Sequence, residues 1–441
     1  MQNNKYDLAQ LLSNLKIDAL NDMQLASLEA NEKNADVILL SATGTGKTLA
    51  FLLPVLKMLD SDNKQTQAMI IVPSRELALQ IESVYRSMGT GHKITCCYGG
   101  HKRETEENNL IQAPALIVGT PGRIADHIRR GNITVGGITT LVMDEFDKLL
   151  DLGFEEEMSF IVKSLPAINK KMLTSATETL EIPSFLIMNE PAKINFLGES
   201  EGMQKPAVQI IQSPDNDKIE TLFQLICMTG GRSSIVFCNH RESVERTSKL
   251  LSEKGISNEF YHGAMEQQER DSALCKFRNG TTDILITTDL AARGLDIPNI
   301  RYIIHYHLPH TEETYIHRNG RTARMDKSGT VVLILSPEEK MPSYINEAVE
   351  VLVVPEKLEM PEKPKWTTLF IAAGKKDKVN KIDIVGFLSN RGQLKKEDIG
   401  LIEVKDFFSF VAVRKNRLGP ALQLIKNEKI KNKKVKIEVA K

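Results

Sequence analysis

The chain of 441 residues contains no run of 18 or more apolar residues, so no segment reads as a membrane-spanning helix. Its five cysteines (Cys96, Cys97, Cys227, Cys238, Cys275) show no CxxC spacing. That pattern indicates neither a disulfide framework nor a zinc site, and it fits a reducing cytoplasm. The opening decapeptide "MQNNKYDLAQ" has no basic region followed by an apolar stretch, so it does not read as a secretory signal. Net charge is absent as well, with 57 basic and 57 acidic side chains. The balance hides an asymmetry. From Trp366 to Lys441, 15 Lys and 3 Arg face 8 acids, a surplus of about ten, and the first 365 residues carry the matching deficit. An acidic body with a basic C-terminal module points to a polyanion partner for the module.

What is there is globular. With 41% hydrophobic and 26% charged residues the chain can build large cores, and its length predicts two or three domains. Short apolar runs, "DVILL", "AMIIVP", "ALIVG" and "TTLVMD", alternate with helical patterns through the first half. Runs of this kind read as strands buried on both faces of a parallel sheet. The polar stretch "LGESEGMQKPA" reads as a linker, after which "SSIVFCN", "DILITTD", "RYIIHYHLP" and "TVVLILS" resume the alternation. Two doubly wound α/β domains in tandem are therefore expected, over residues 1–200 and 207–352. The Pro/Lys/Glu-rich segment at 353–365 reads as an extended linker. The module at 366–441 has a βαββαβ rhythm, with helices near 379–390 and 418–428.

The stretch "SATGTGKT" follows the strand "DVILL" and opens a helical pattern. Ser41, Ala42, Thr43, Gly44, Thr45 and Gly46 would turn backbone N–H groups toward phosphate oxygens. Lys47 would bring a charge to the β- and γ-phosphates, and Thr48 a hydroxyl to Mg²⁺. A second acidic site at a neighbouring strand end is then needed. "LVMDEFDKLL" supplies it, with Asp144 as the second Mg²⁺ ligand and Glu145 as the base that orients and deprotonates water.

With these residues in view the chain resembles a DEAD-box RNA helicase across nearly all of 20–325. The family's motifs recur in order: "SATGTGKT", "PSREL", "GG", "TPGR", "DEFD" and "SAT", then "VFCN", "QQER", "TDLAARGLD" and "HRNGRTAR". The resemblance implies two RecA-like domains, ATP and Mg²⁺ as cofactors, and RNA as partner. It implies that Asp147, Ser175 and Thr177 couple the nucleotide site to RNA. It makes Arg321 and Arg324 arginine fingers and puts Gly294 and Asp296 on the nucleotide. Arg75, Gly100, Thr120, Gly122, Arg123, Arg270 and Thr288 match positions along the RNA backbone, and Gln24 matches the adenine-reading glutamine.

Several positions depart from the family pattern. Phe146 stands where Ala is usual and should be packing. Ser41 replaces Ala. "NDMQ" replaces a Pro-Thr-x-x-Gln pattern, with Tyr6 the nearest upstream aromatic. Asn319 and Ala323 replace an aliphatic residue and Gly.

The basic module resembles the RRM-like RNA-binding domain of DbpA-type bacterial DEAD-box proteins, which anchors those helicases to large-subunit ribosomal RNA. Phe370, Phe408 and Phe410 fall at base-stacking positions, with an ordinary core role as the alternative for Phe370 and Phe410. Asp406 and Val413 break the signature. The reading is thus a monomeric, cytoplasmic, ATP-dependent RNA helicase that locally unwinds short duplexes in ribosomal RNA. An ATP-gated RNA clamp or assembly scaffold is the alternative. A DNA helicase is a third reading, disfavoured by the motif set and the module.

Overall fold

The computed structural model describes residues 6–42, 44–100, 102–177, 182–197, 206–289, 300–321, 329–345, 348–426, 428–431 and 433–440. Thr43, Gly294, Asp296 and Arg324 lie outside the described residues, as does Ala323. The chain divides into two compact units. One holds the first sheet, and the other holds the second sheet with the C-terminal module.

The first sheet is built from β1 (Asp36–Ser41), β2 (Ala68–Ile71), β3 (Ile94–Cys97), β4 (Leu116–Gly119), β5 (Thr140–Met143), β6 (Lys170–Ser175) and β7 (Ala192–Phe196). Their order across the sheet is β3-β4-β2-β5-β6-β1-β7, every pair parallel. Alternate residues of β2 feed two separate cores. Ala68 and Ile70 pack with Phe51, Leu52 and Ile81, while Met69 and Ile71 pack with Ile124, Phe146 and Ile161. Helices on both faces thus explain the unbroken apolar runs.

The second sheet is also parallel. It contains β8 (Ala207–Gln212), β9 (Ser234–Phe237), β10 (Glu259–Tyr261), β11 (Ile284–Thr287), β12 (Tyr302–His305), β13 (Thr330–Leu335) and β14 (Val349–Val351), in the order β10-β11-β9-β12-β13-β8-β14.

In the module, β15 (Trp366–Ile371), β16 (Ile399–Val404), β17 (Ser409–Arg414), the short hairpin β18 (Lys429–Ile430) and β19 (Lys433–Lys434), and β20 (Ile437–Val439) follow. The antiparallel sheet runs β16-β17-β15-β20. Leu369, Ile371, Val411 and Val413 point from it toward Ile384, Leu388, Ala421 and Ile425 of the helices Lys381–Asn390 and Lys415–Ile425. The second helix starts three residues earlier than the sequence suggests, and Pro420 sits inside it. Pro420 is its sixth residue, beyond the first four positions, so the bond an N–H there would give to the Asn416 carbonyl is forfeited. The opposite face of the sheet meets the other domain of its own unit. Thr368 Oγ1 accepts from Asn279 Nδ2 at 2.8 Å and lies 2.8 Å from Thr281 Oγ1, and Arg278 pairs with Glu403 at 3.5 Å.

Candidate nucleotide and RNA site

Gly44 and Gly46 adopt φ +89° and +93°, the left-handed region where a side chain is strained. The chain turns there between β1 and the helix Lys47–Met58, whose N-cap is Gly46. Ser41 Oγ and Thr45 Oγ1 lie 2.7 Å apart, and Thr45 Oγ1 donates to the Ala42 carbonyl at 3.0 Å. Lys47 is 8% exposed and its Nζ donates to the Ser41 carbonyl at 2.8 Å. Burial pushes its ammonium below the usual range, and the nearby Asp144 and Glu145 oppose that. Thr48 follows in the first helical turn, half-buried.

Gln24 braces this loop. Its Nε2 donates to the Gly46 carbonyl at 3.2 Å, and Asn21 Nδ2 donates to the Thr45 carbonyl at 2.9 Å. Asn21 and Gln24 also cap their own helix reciprocally, so the helix start at "NDMQ" is closed without the usual Pro-Thr. Tyr6 hydrogen-bonds through its hydroxyl to His92.

β5 ends on the acids. Asp144 is 3% exposed, and burial followed by the adjacent Glu145 raises its carboxyl to about 6, against Lys47 and a hydrogen bond from Thr174. Glu145 sits at φ +52°, a conformation that costs a non-glycine residue of order 1–3 kcal/mol. Its Oε1 pairs with Lys148 Nζ at 2.8 Å, and Lys148 is fully buried. Phe146 points the other way, 0% exposed in the second core with Met143 and Leu149. The aromatic among the acids is a core residue, and it anchors the turn that presents them.

Asp147 faces the 175–177 segment at the end of β6. Its Oδ2 accepts from Ala176 N at 3.0 Å and from Thr177 Oγ1 at 3.4 Å, and Ser175 Oγ accepts from Thr177 N at 3.0 Å. Thr174 was missed by sequence reasoning. It bonds to Asp144 through its hydroxyl and accepts from Glu145 N at 3.0 Å, and its one signal is its place next to Ser175.

In the same unit Arg75 opens the helix Arg75–Met88, with its guanidinium 4.7 Å from the Tyr98 ring centroid. Gly100 is exposed at φ +89°, Thr120 caps the helix Pro121–Arg129, and a Cβ on Gly122 would meet nothing within 4 Å. Arg123 Nη1 donates to Glu106 at 2.9 Å.

In the second unit Arg270 is half-buried on the helix Gln267–Arg278, Thr288 is half-buried after β11, and Arg321 is 4% exposed. A fully buried arginine that the sequence reading passed over, Arg318, gathers three motifs. It bonds to Asp289, to Asn239 Oδ1 at 2.8 Å and to the His307 carbonyl at 2.8 Å, over the Phe237 ring. Asn319 pairs with His305 Nε2 at 3.0 Å, so the polar residue in an aliphatic position satisfies a buried histidine.

In the module Phe370, Phe408 and Phe410 pack on one another, with centroids 5.4–5.8 Å apart. Phe410 is 1% exposed, so it is a core ring and offers no free face for a base. The side of the sheet it occupies is the one met by Arg278, Asn279 and Thr281. Phe370 and Phe408 are half-buried, and the ring most open to solvent is the neighbouring Phe407, 63% exposed.

A glycine-rich phosphate loop on one strand and paired buried acids at the end of another define a phosphate-loop nucleotide hydrolase on a tandem RecA-like frame. Residues 21–183 match the DEAD/DEAH box helicase domain, 217–326 the helicase conserved C-terminal domain, and 368–439 the DbpA RNA binding domain. The chain is 32% identical over 446 residues to the ATP-dependent RNA helicase DbpA of Escherichia coli (strain K12), covering 98% of this chain and 96% of that protein. It is 29% identical over 467 residues to DbpA of Bacillus subtilis (strain 168), covering 99% and 98%. Among solved structures, Saccharomyces cerevisiae Dbp5 bound to RNA and ADP BeF3 matches with TM-score 0.68 and 27% identity, covering 78% of this chain and 93% of that one. Mss116 bound to ssRNA and UDP-BeF matches with TM-score 0.67 and 25% identity, covering 74% and 72%. The chain belongs to the DEAD-box family of ATP-dependent RNA helicases, in its DbpA-type branch. Among the described residues no helix is long and apolar enough to cross a membrane.

Proposed function

We propose that this helicase separates short RNA duplexes locally, using a basic module that tethers it to ribosomal RNA. The observation that supports coupling of ATP to RNA is the bond from Asp147 to Ala176 and Thr177, directly behind the Asp144–Glu145 pair. A change at the acids on nucleotide binding is passed through Asp147 to a second segment of chain.

In this reading Gln24 selects ATP, the Ser41–Thr48 loop cradles its phosphates, and Lys47 leaves the Ser41 carbonyl for them. Two adjacent buried carboxylates, one titrating near 6, fit a divalent cation. Mg²⁺ held by Thr48 and Asp144 would neutralise developing phosphate charge. Glu145, aimed by its left-handed backbone, takes the proton of the attacking water. Arg321 and Arg324 supply charge at transfer, while Gly294 and Asp296 hold the nucleotide. Arg75, Gly100, Thr120, Gly122 and Arg123 on one domain, and Arg270 and Thr288 on the other, line the RNA backbone.

For the module, a sheet face on which Phe410 is buried and Phe370 and Phe408 are half-buried favours an edge as the RNA contact. Lys375 N donates to the Lys405 carbonyl and Lys376 N to that of Asp406, which brings those lysines beside exposed Phe407. A ring with lysines around it suits an unpaired base with flanking phosphates. Tethering raises the effective concentration of the motor on nearby duplexes.

The test is strand separation of a short RNA duplex with ATP, for the wild type and for Glu145→Gln. Separation that continues at the wild-type rate in the variant sinks the assignment. Equal stimulation of ATP hydrolysis by DNA and RNA would sink the choice of substrate. Sequencing RNA crosslinked to the protein in cells tests the ribosomal target.

A further inference from the structure

Glu106 belongs to none of the motifs that mark the RNA path, yet it is 1% exposed and joins two of them. It stands on the short helix Arg103–Leu110, in a stretch, "RETEENNL", that reads as a solvated face. Its Oε1 accepts from the backbone N–H of Tyr98 at 2.8 Å, immediately before Gly99 and Gly100. Its Oε2 accepts from Arg123 Nη1 at 2.9 Å and from His127 Nε2 at 2.7 Å. Asn132 Nδ2 lies 3.0 Å from His127 Nδ1, which makes Nδ1 the acceptor and leaves the ring proton on Nε2, aimed at Glu106. Tyr98 in turn carries the Arg75 guanidinium over its ring, 4.7 Å from the centroid.

The Tyr98–Gly100 turn and Arg123 are thus fastened to one buried carboxylate, with the Arg75 guanidinium lying over the Tyr98 ring. A cation site is the other chemistry these groups suggest, since Cys97, Glu106 and His127 have donor atoms within 4.8 Å of one another. A cation there would have to displace both the Arg123 guanidinium and the His127 proton from Glu106.

We propose that Glu106 is a positioning residue for RNA: its carboxylate, held by Tyr98 N–H and His127, sets the guanidinium of Arg123 and the glycine turn in register for successive phosphates. This rests on the reading that Arg123 lines the RNA path. A guanidinium that is already oriented loses less freedom when phosphate arrives. Glu106 touches no RNA itself, so its effect falls on RNA affinity.

The experiment measures RNA-stimulated ATP hydrolysis of the full chain against RNA concentration, for Glu106→Gln, Arg123→Gln and the double variant. Glu106→Gln keeps an acceptor for Tyr98 N–H and removes the charge that fixes Arg123. The expected result is a rise of about tenfold in the RNA concentration at half-saturation, the scale of one charge-assisted hydrogen bond, with kcat at saturating RNA changed by much less. The double variant should be no weaker than Arg123→Gln alone, because one acts through the other. If Arg123→Gln leaves half-saturation unchanged, the RNA-path reading fails. If Arg123→Gln weakens RNA but Glu106→Gln does not, or the two effects multiply, that reading stands and the positioning role is overturned. Should Glu106→Gln not fold, Glu106→Asp keeps the charge and withdraws it by one methylene. Its half-saturation should rise by less, and an unchanged value in the folded protein would equally overturn the proposal.

Discussion

Counted from their own first strands, the two RecA-like sheets have the same strand order, and they put different chemistry at equivalent strand ends. β1 leads into the glycine loop and Lys47. Its counterpart β8 leads to Lys218, whose Nζ is held by the Ile334 carbonyl at 2.9 Å and Glu339 at 2.7 Å. β5 ends on Asp144 and Glu145. Its counterpart β12 ends at His305, with His307 two residues on. Burial holds their imidazoles at about 3 and about 4, so both are neutral near pH 7. The first domain concentrates buried acid beside a buried lysine. The second concentrates neutral histidines around Arg318. The shared topology supplies strand ends that converge, and the residues just past them decide what each domain does.

The largest effect should come from exchanging the two lysines' fates. Lys47→Ala is expected to abolish RNA-stimulated ATP turnover. Lys218→Ala should keep turnover and lower the melting temperature, since it removes the cation paired with Glu339 and the bond to the Ile334 carbonyl. Glu145→Gln should lose about two to four decades in rate, the range for a general base. A Lys218→Ala protein that melts normally and hydrolyses no ATP would break the comparison.

Next in size are two buried hubs, one per domain. Arg318→Met removes a partner of Asp289 and of Asn239 Oδ1; Asp289 is 34% exposed, so water offsets part of the ~3–5 kcal/mol that breaking a fully buried pair costs. Phe146→Ala empties a core site, a loss of ~3–5 kcal/mol. Chemical denaturation should show both. At a temperature where it is folded, Phe146→Ala should still turn over ATP. Loss of turnover with an unchanged melting temperature would give the ring a role in the site.

The phosphate site was legible in the sequence because it is local, one loop and one strand end, and each residue type has a single chemical use. Strands such as β1, β2, β9 and β13 were legible because burial on both faces forces a continuous apolar run. The edge strands β7, β10 and β14 were not. They are three to five residues long and half-exposed, so they show neither a run nor a clean alternation. Glu106 was illegible for another reason. Among acids and asparagines it looks solvated, and only the packing of its helix under the Tyr98 turn makes it a hub. Asn319 read as a departure because its partner His305 lies in another element. The module's rhythm showed a four-stranded sheet, but Thr368 gives no hint of Asn279, 89 residues away.

A smaller effect is that acid should act on the two domains in opposite senses. His305 and His307 have folded values far below the unfolded value near 6.5. Their contribution is present above 6.5 and is lost as pH falls toward 4 and then 3. At pH 5 that is roughly 2 kcal/mol for each group. Asp144, raised to about 6 from 3.8, contributes stability below 3.8 that is lost as pH rises through 6. Between pH 7 and 5 the first domain therefore regains about 1 kcal/mol while the second weakens. Hydrogen exchange at β5 and β12, corrected for the intrinsic rate, reads each domain in the intact chain. His305→Gln should flatten the trend at β12. Parallel trends in the two sheets would mean the strand-end groups do not set the difference.

The smallest expected effects concern the third sheet, which only the second domain carries. Its outer face is partly covered by Asn279, Thr281 and Arg278 and Phe410 is buried there, so single lysines at the edge should matter more for RNA than Phe410 does. Each of Lys375→Gln and Lys376→Gln should weaken binding of a ribosomal RNA fragment modestly and lower the salt slope by about one. Phe407→Ala should cost ~1–3 kcal/mol if a base stacks on it. Phe410→Leu, a buried change, should alter stability and leave the salt slope untouched. Fluorescence titrations at several salt concentrations, with melting curves for each variant, separate these outcomes. Suppose instead that Phe410→Leu weakens the fragment while its melting temperature holds, and the lysine variants bind normally. RNA would then have to open the face that now meets Asn279 and Thr281, and the second domain would lose its permanent partner whenever the helicase is on its target.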